Sequence, residues 1–390
     1  MPLRMVYMDH SATTFVDQAV LEKMLPFFSE KYGNPNSVHA WGREVRSSVE
    51  EARMNVARLV NAEPREILFT GGGSEADNLA IKGVAENLGE KGRHLVTTAI
   101  EHHAVLDTFK WLGKHGYDVT ILPVDGDGLV DLDEFRNALR PDTILASVMY
   151  ANNEVGTIQP IHEMGSICRE KGVLFHTDAV QAAGHIPIDL KELPVDLLTM
   201  AAHKMYGPKG VGALYVRKGV RIAPLVHGGG QEFGLRSGTE NTAGLVGFGA
   251  AAELAMKRIA SGEIEEERRL RDLLIDGLLL RIEDSSLTGH RTLRLPFHAS
   301  FCIRYIEGEA MLLRLDFAGI GASSGSACTS GSLEPSYVLL AMGLDHATAH
   351  GSLRLTLGKD TSEEDIAYIL ETLPPIVQTL RAMSPFKKNS

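Results

Sequence analysis

A single lysine, Lys204, stands between a run of small and apolar residues and a turn rich in glycine and proline, in TMAAHKMYGPKG at 199–210. Most lysines are solvated, so one interpretation is an ordinary surface lysine. A lysine directly after a buried strand can instead have its pKa lowered by desolvation, and its free amine can form a Schiff base with a carbonyl. Lys204 is therefore a candidate nucleophile.

A carboxylate and an amide follow the pattern VLFHTD at 173–178, where Asp178 is the last residue and Gln181 comes three residues later. Asp178 could simply cap a helix. If the ligand is pyridoxal phosphate, a carboxylate here would pair with the pyridinium nitrogen and keep it protonated, which makes the ring an electron sink. The local sequence leaves both interpretations open.

The glycine-rich block GGGSEADN at 71–78 follows a strand pattern and opens a helical one. Backbone amides and a hydroxyl at a helix N-terminus suit a phosphate group. The block lacks the lysine of a nucleoside-triphosphate loop and the spacing of a dinucleotide fingerprint. Gly73 and Ser74 are therefore candidates for holding a lone phosphate.

Two adjacent histidines, His102 and His103, lie in EHHAV. Neighbours on a helix point about 100 degrees apart, so the pair does not converge on one metal ion, and we predict no metal site. One of these rings could stack on an aromatic cofactor, and a core or capping histidine is the alternative.

The three cysteines are too widely spaced for a disulfide framework or a paired zinc motif. Cys328 lies in SSGSACTSG at 323–331, which buries little, so we predict an exposed thiol on a mobile loop at 321–332. An incidental loop cysteine is the alternative. Cys302 and Cys168 are expected to be core or helix-surface thiols.

Short apolar runs alternate with amphipathic stretches between about residues 66 and 216, which predicts an α/β core with a mostly parallel sheet covered by helices. The predicted strands are EILFT (66–70), HLVTTA (94–99), VTILPV (119–124), TILASVMY (143–150), VLFHTD (173–178), VDLLTMAA (195–202) and GALYV (212–216). Ligands bind beyond the carboxyl ends of such strands. The polar blocks described above follow these ends, so we expect them to meet at one rim.

A second, smaller α+β domain is predicted at the C-terminus. Residues 248–282 form one long helical pattern that leads into it, and strand patterns follow at 299–305 and 352–358. We place the large domain at 15–260. The small domain takes 1–14 and 261–390 and carries the cysteine loop.

The composition restricts the class of protein. The chain has 390 residues, and 39 Lys and Arg against 50 Asp and Glu give a formal net charge of −11, which argues against a basic nucleic-acid or membrane surface. The N-terminal sequence MPLRMVYMDH lacks the apolar region of a signal peptide, and no apolar run approaches the roughly 18 residues of a transmembrane helix. We expect a cytoplasmic protein.

Ten blocks occur in a fixed order along nearly the whole chain: DHSATT (9–14), GNPNSVH (33–39), FTGGGSEADNLAIKG (69–83), EHHAVLDT (101–108), NNEVGTIQP (152–160), HTDAVQAAG (176–184), AHKMYGPKG (202–210), LRSGTEN (235–241), SSGSACTSGSLEPSYVL (323–339) and SLRLTLG (352–358). Together they resemble the cysteine desulfurases of the NifS and IscS type, which are pyridoxal-phosphate enzymes of aminotransferase class V. The resemblance implies the fold of type I pyridoxal-phosphate enzymes.

The resemblance implies a role for each matched residue around the cofactor ring. Lys204 would form the Schiff base, and Asp178 would pair with the ring nitrogen. Gln181 would bond the phenolic oxygen, and His102 would stack on the ring and take part in catalysis.

The phosphate of the cofactor would be held by Gly73, Ser74 and His203. Thr239 would reach the same phosphate from a second subunit, which implies a homodimer with shared sites. The family often has a hydroxyl residue where this chain has Ala201, so one phosphate hydrogen bond is expected to be missing. The phosphate loop is GGGSE where the family usually has a Gly-Ala-Thr-Glu run, and Ser74 keeps the hydroxyl.

Asn153 and Arg354 would orient the substrate carboxylate, and Asn153 would also contact the cofactor.

Cys328 would take the sulfur of L-cysteine as a persulfide, which leaves L-alanine. The sulfur would then pass to an acceptor such as an iron-sulfur scaffold protein, or to a tRNA-thiolation pathway. The alternatives are a selenocysteine lyase, another class V aminotransferase, or a non-catalytic sulfur-assembly protein that keeps only the fold.

Overall fold

The computed structural model describes residues 4–325 and 334–384. Within these ranges the strands are β1 (Val6–Tyr7), β2 (Ile67–Thr70), β3 (His94–Thr98), β4 (Asp118–Leu122), β5 (Thr143–Ser147), β6 (Leu174–Asp178), β7 (Leu197–Ala201), β8 (Gly212–Val216), β9 (Ser285–Leu287), β10 (His298–Ile303), β11 (Ile320–Gly321) and β12 (Ser352–Thr356). The α-helices are α1 (Gln18–Met24), α2 (Pro26–Ser29), α3 (Ala40–Leu59), α4 (Gly73–Leu88), α5 (His103–Gly113), α6 (Leu132–Ala138), α7 (Ile161–Lys171), α8 (Thr242–Ser261), α9 (Glu263–Arg281), α10 (Gly308–Phe317), α11 (Tyr337–Ala341), α12 (His346–His350) and α13 (Glu363–Met383).

A seven-stranded sheet forms the centre of the larger part of the chain, with the order β2-β8-β7-β6-β5-β3-β4. Neighbouring strands are parallel except for β8, which is antiparallel to both β2 and β7. Only residues 202–211 separate β7 from β8, and a parallel crossover needs a dozen or more residues. The prediction of a mostly parallel sheet covered by helices is confirmed.

Helices cover both faces of this sheet, because most of its strands are apolar on both sides. One core cluster contains Val49 of α3, Phe175 of β6 and Phe248 of α8. A second cluster, on the other face, contains Leu79 of α4 and Phe109 of α5. None of the helices in the described part of the chain is both long and apolar enough to cross a membrane.

A three-stranded antiparallel sheet, in the order β12-β10-β9, organises the C-terminal part of the chain. It shares an apolar cluster with helices α9, α10 and α13. The N-terminal strand β1 joins this region, since Val6 pairs with Ile320 of β11 in a parallel register. The domain boundaries at 14/15 and 260/261 stay a prediction.

The predicted continuous helical stretch at 248–282 is wrong. The structure has two helices there, because Gly262 adopts a left-handed conformation with φ of 88° between the end of α8 and the start of α9. Glycine takes this conformation without the steric cost of a Cβ atom and commonly ends a helix. The second helix then leads into the antiparallel sheet.

Candidate active site

A cavity of about 290 Å³ lies where the carboxyl ends of the parallel strands meet. The structure brings nine of the sequence-predicted site residues to its wall. They are Gly73, Ser74, His102, Asn153, Asp178, Gln181, His203, Lys204 and Arg354. They follow five different strands of the large sheet and one strand of the small sheet, so the cavity depends on the whole fold.

Lys204 is the last residue of a short 3₁₀ turn that directly follows β7. Its amine donates hydrogen bonds to the backbone oxygens of Ser11 and Ala12, the latter at 2.8 Å. His185 Nε2 is hydrogen-bonded to the backbone oxygen of Lys204 at 2.8 Å. The residue is half-buried at the cavity wall, so the interpretation as an exposed surface lysine is wrong.

Asp178 is the last residue of β6 and is buried. Its Oδ1 accepts a hydrogen bond from the backbone N–H of Val180 at 2.9 Å, but the described residues 179–184 form turns and no helix begins there. The interpretation as a helix cap is therefore wrong. Burial raises the pKa of the Asp178 carboxyl, and the nearby His102 and Lys204 oppose that shift.

His102 is both a capping residue and a wall of the cavity. Its Nδ1 accepts a hydrogen bond from the backbone N–H of Ala104 at 3.1 Å, which caps α5. Burial lowers the pKa of the imidazole, although Asp178 favours the charged form. In a neutral ring whose Nδ1 is an acceptor, Nε2 carries the proton and is a donor. The neighbouring His103 packs instead against Tyr337, with ring centroids 4.8 Å apart.

Helix α4 begins at the cavity wall with Gly73 and Ser74, as the glycine-rich block predicts. A Cβ atom on Gly73 would lie 2.8 Å from Val180 Cγ2, so only glycine fits this position without a shift. The methyl group of Ala201 lies on the same side, 3.6 Å from that position. The first turn of a helix exposes N–H groups and a partial positive charge, which bind anions.

His203 lies beside this helix start and contacts the N-terminal loop, with Nδ1 3.1 Å from Thr13 Oγ1. Burial, with added repulsion from Lys204 and Lys209, lowers the pKa of His203 to about 4. The ring is therefore neutral at physiological pH, and it can donate one hydrogen bond without carrying a charge.

Arg354, on β12, also lines the cavity and is 2% exposed. Its Nη1 donates to the backbone oxygen of Asn153 at 3.0 Å, and its Nη2 donates to Asp9 Oδ1 at 3.0 Å. The Nε atom has no hydrogen-bond partner within the described chain. The edge formed by Nε and Nη2 is therefore the one that remains for a carboxylate ligand.

Five buried polar atoms of cavity-lining residues lack a hydrogen-bond partner among the described residues: Ser11 Oγ, Asp77 Oδ1, Asn153 Oδ1, Gln181 Oε1 and Arg354 Nε. The amide nitrogen of Gln181 is already used, since it donates to the backbone oxygen of Ser11 at 3.0 Å. Buried polar groups in folded proteins are nearly always paired. The concentration of unpaired atoms around one cavity indicates a polar ligand.

Thr239 is exposed and does not line the cavity. Cys328, with the predicted mobile loop beyond Gly325, lies outside the described residues. Both described cysteines are buried, as predicted. Burial raises the pKa of Cys302 to about 12 and also raises the pKa of Cys168.

Sequence reasoning missed several residues of the wall, among them Ser11, Ala12 and Asp77. Asp77 is fully buried, and burial together with the charge of Asp178 raises the pKa of its carboxyl well above the usual value. The signals were present in the blocks DHSATT and SEADN, but nothing in one sequence shows that two segments so far apart meet.

Comparison with known proteins decides the family. Residues 6–369 match the family described as Aminotransferase class-V. A cysteine desulfurase IscS of Clostridium botulinum is 55% identical over 384 residues, which cover 98% of this chain and 96% of the relative. The chain belongs to the cysteine desulfurases of the class V aminotransferase family.

Other relatives agree with this assignment. Proteins named cysteine desulfurase IscS from Dictyoglomus turgidum and Methanosarcina thermophila are 52% and 54% identical, over 99% and 97% of this chain and 98% and 94% of their own length. Among solved structures, a NifS-like protein superposes with a TM-score of 0.91 at 42% identity, covering 97% of this chain and 100% of that one. The family uses pyridoxal phosphate, and the predicted type I fold is confirmed.

A second solved structure carries a ligand in its title. It is described as SspA in complex with cysteine, and it superposes with a TM-score of 0.80 at 36% identity, covering 90% of this chain and 98% of that one.

Proposed function

We propose that this cysteine desulfurase binds pyridoxal phosphate at Lys204 and transfers the sulfur of L-cysteine to Cys328, releasing L-alanine. The observation that carries the proposal is the meeting of nine predicted residues, drawn from distant parts of the sequence, at one cavity. A solved relative described as a complex with cysteine supports the choice of substrate.

The residues present fit pyridoxal phosphate. The start of α4, with Gly73 and Ser74, offers N–H groups to a phosphate, and the close packing at Gly73 shapes that end of the cavity. Asp178 is a buried carboxylate at the wall, and burial raises its pKa here. A pyridinium cation beside it would restore the charged form and remove the cost of an unpaired buried charge. The unpartnered oxygen of Gln181 suits the ring's phenolic group.

When bound, pyridoxal phosphate supplies an aldehyde that reacts with amines and a ring that accepts an electron pair from the substrate Cα. Lys204 is the amine to which it would be attached, and its Nζ is the group that moves the Cα proton. His102 is held by its own capping hydrogen bond, so its ring has one fixed orientation at the cavity. Asp178 supplies the negative charge that favours a protonated ring nitrogen.

The substrate carboxylate would bind the free edge of Arg354. Nη1 is fixed by the Asn153 backbone and Nη2 by Asp9, so the guanidinium plane is set before the substrate arrives. Two parallel charge-assisted hydrogen bonds from Nε and Nη2 would orient the carboxylate. Asn153 Oδ1 has no hydrogen-bond partner among the described residues, which supports a role for this amide in ligand binding.

Cys328 would attack the substrate sulfur in its thiolate form. A sulfur–sulfur bond forms, the substrate Cβ–S bond breaks, and its electron pair remains with the carbon skeleton, which is protonated to L-alanine. The balance is one L-cysteine and one thiol giving one L-alanine and one persulfide. Cys328 is three residues after Gly325 in the sequence. Gly325 itself is buried, with its N–H 3.4 Å from Ser352 Oγ.

A homodimer would complete the site. Thr239 is exposed and does not line the cavity of its own chain, so it is available to a second copy. The adjacent Glu240 accepts hydrogen bonds from Asn36 at 2.9 and 3.0 Å, which joins the segment of Thr239 to a loop with exposed apolar side chains. Val38 of that loop is 89% exposed and Trp41 is 59% exposed. Exposed apolar groups of this size mark interaction surfaces.

The decisive experiment measures L-alanine and sulfide together after incubation of the purified protein with L-cysteine and a reductant, with Cys328→Ser alongside. We expect equal amounts of the two products from the wild type and strongly reduced amounts from the variant, with cofactor binding unchanged.

Keto-acid formation would indicate another class V aminotransferase, and activity confined to selenocysteine would indicate a selenocysteine lyase. The absence of the cofactor's yellow absorption would indicate a non-catalytic relative. The sulfur acceptor, such as an iron-sulfur scaffold protein, would be tested with the persulfidated enzyme.

A further inference from the structure

Glu154 lies between the substrate-binding residues and the chain that flanks the 326–333 segment. It follows Asn153 in the block NNEVG and is 3% exposed. Its backbone N–H donates to the side chain of Asn152 at 2.8 Å, so a side chain of the same block fixes the turn. Nothing in the reaction described above uses the Glu154 side chain, although few carboxylates are so completely buried.

The same carboxylate oxygen of Glu154 contacts both flanks of the segment that contains Cys328. Ser336 Oγ donates a hydrogen bond to Glu154 Oε2. On the other flank, a Cβ atom on Gly325 would lie 2.7 Å from Glu154 Oε2 and 2.9 Å from Ser336 Cβ. Gly325, Glu154 and Ser336 therefore pack in direct contact, with no room for a side chain at 325.

The contacts of Glu154 also reach the substrate side of the cavity. Arg354 Nη1 is bonded to the backbone oxygen of Asn153, the residue before Glu154, and the positive charge of Arg354 acts on the Glu154 carboxyl. Ser323, two residues before Gly325, forms an antiparallel bridge with Arg354. The chain leading to Cys328 and the carboxylate-binding arginine thus share one set of contacts.

We propose that Glu154 is a positioning residue that holds both flanks of the 326–333 segment in a fixed relation to Arg354, so that Cys328 is presented to the substrate sulfur. The proposal rests on the proposed function. Sulfur transfer needs the attacking atom within contact distance of its target, and a displacement of about 1 Å can lower such a rate about 100-fold. Binding of L-cysteine and removal of its Cα proton do not need Cys328.

The electrostatic state of Glu154 allows a matched pair of variants. Burial raises the pKa of its carboxyl to about 7, and the hydrogen bond from Ser336 and the charge of Arg354 oppose this shift. A neutral side chain of the same shape is therefore close to the natural state near pH 7. Glu154→Gln keeps an oxygen that can accept from Ser336, whereas Glu154→Ala removes both contacts.

The experiment follows two signals in the holoenzyme after mixing with L-cysteine. The first is the change in cofactor absorption, which reports substrate binding and proton removal. The second is the single-turnover appearance of a persulfide on Cys328, measured by mass spectrometry. In Glu154→Ala we expect the first signal to match the wild type and the second to slow by about tenfold or more. Glu154→Gln should stay close to the wild type in both.

Two further variants separate positioning from general damage. Ser336→Ala removes the other partner of the hydrogen bond and should slow persulfide formation in the same way. It tests the proposal even if Glu154→Ala fails to fold. The exposed Glu163→Gln, on α7, should change neither signal. Wild-type persulfide formation in both Glu154→Ala and Ser336→Ala would overturn the proposal, and so would equal losses in the two signals. If the proposed function itself is wrong, the wild type will form no persulfide on Cys328.

Discussion

Arg354 Nη2 lies 3.0 Å from Asp9 Oδ1, and the second oxygen of Asp9 accepts a hydrogen bond from Ser323 Oγ at 2.7 Å. Asp9 is thus shared between the arginine proposed to bind the substrate carboxylate and the chain that leads to Cys328. Because the pair is largely buried, the carboxylate fixes the orientation of the guanidinium while leaving its Nε edge available.

Replacing Arg354 with lysine should raise the KM for L-cysteine by about 10- to 100-fold, because a bidentate pair of charge-assisted hydrogen bonds is lost. Steady-state alanine production measures it. Asp9→Asn keeps an oxygen for Arg354 but removes the charge, so its effect on KM should be smaller. An unchanged KM in Arg354→Lys would show that the carboxylate binds elsewhere.

Restoring a hydroxyl at position 201 should strengthen cofactor binding. Ala201 is buried at the cavity wall beside the start of α4, where the phosphate is proposed to bind. One added hydrogen bond to a charged group corresponds to about a tenfold lower Kd for pyridoxal phosphate in Ala201→Ser. Cofactor release during dialysis, followed by absorbance, tests this, and Ala201→Val should weaken binding. Equal release from the wild type and Ala201→Ser would place the phosphate away from residue 201.

Much of the fold could be predicted because its strands are short apolar runs bounded by polar blocks. The predicted strand at 212–216 has the observed bounds, and the strand predicted at 173–178 begins one residue later. The helix break at Gly262 was missed because the amphipathic pattern continues across it. A single glycine inside a helical pattern could be tolerated or could end the helix, and the local sequence does not decide.

The site was predictable where a residue type matched both a strand end and a family block, as at Lys204 and Asp178. Contacts over long sequence separations were not predictable. Lys204 bonds to the backbone of Ser11, 193 residues earlier in the chain, and a backbone oxygen carries no residue-specific signal. Glu154 was missed for a related reason, since its partners belong to segments after residue 320.

Thiol labelling should distinguish the cysteines. The two described cysteines are buried with raised pKa values, that of Cys302 reaching about 12, so neither forms a thiolate near neutral pH. Iodoacetamide should therefore modify Cys328 first in the native protein, with loss of desulfurase activity, and Cys328→Ser should resist labelling until it is unfolded. Peptide mass spectrometry identifies the site. Fast native labelling of Cys168 or Cys302 would contradict this.

The stability of the fold should fall as the pH rises from 6.5 to 8. Burial raises the pKa of Glu101 to about 8, from an ordinary value of 4.5. Between these values the folded state keeps a proton that the unfolded chain loses, so each pH unit lowers the free energy of unfolding by up to about 1.4 kcal/mol, and by about half of that near pH 8. Buried histidines such as His176, whose pKa burial lowers to about 3, change the free energy of unfolding mainly below pH 6.5, the pKa of a histidine in the unfolded chain.

Glutamine at position 101 does not titrate. The free energy of unfolding of Glu101→Gln should therefore decline less steeply than that of the wild type over the same pH range. Urea denaturation at pH 6.5, 7.25 and 8 provides the measurement. The exposed Glu163→Gln should keep the wild-type slope. Parallel pH profiles for the wild type and Glu101→Gln would mean that Glu101 is already ionised in the folded protein.

The most direct test of the account is borohydride reduction of the holoenzyme, followed by proteolysis and peptide mass spectrometry. We predict one reduced pyridoxyl phosphate per chain, attached to Lys204, and no adduct in Lys204→Ala. Lys209, five residues later, provides an internal comparison because it lies beside the same helix start. An adduct on Lys209 or on another lysine, or one that survives in Lys204→Ala, would contradict the assignment of Lys204.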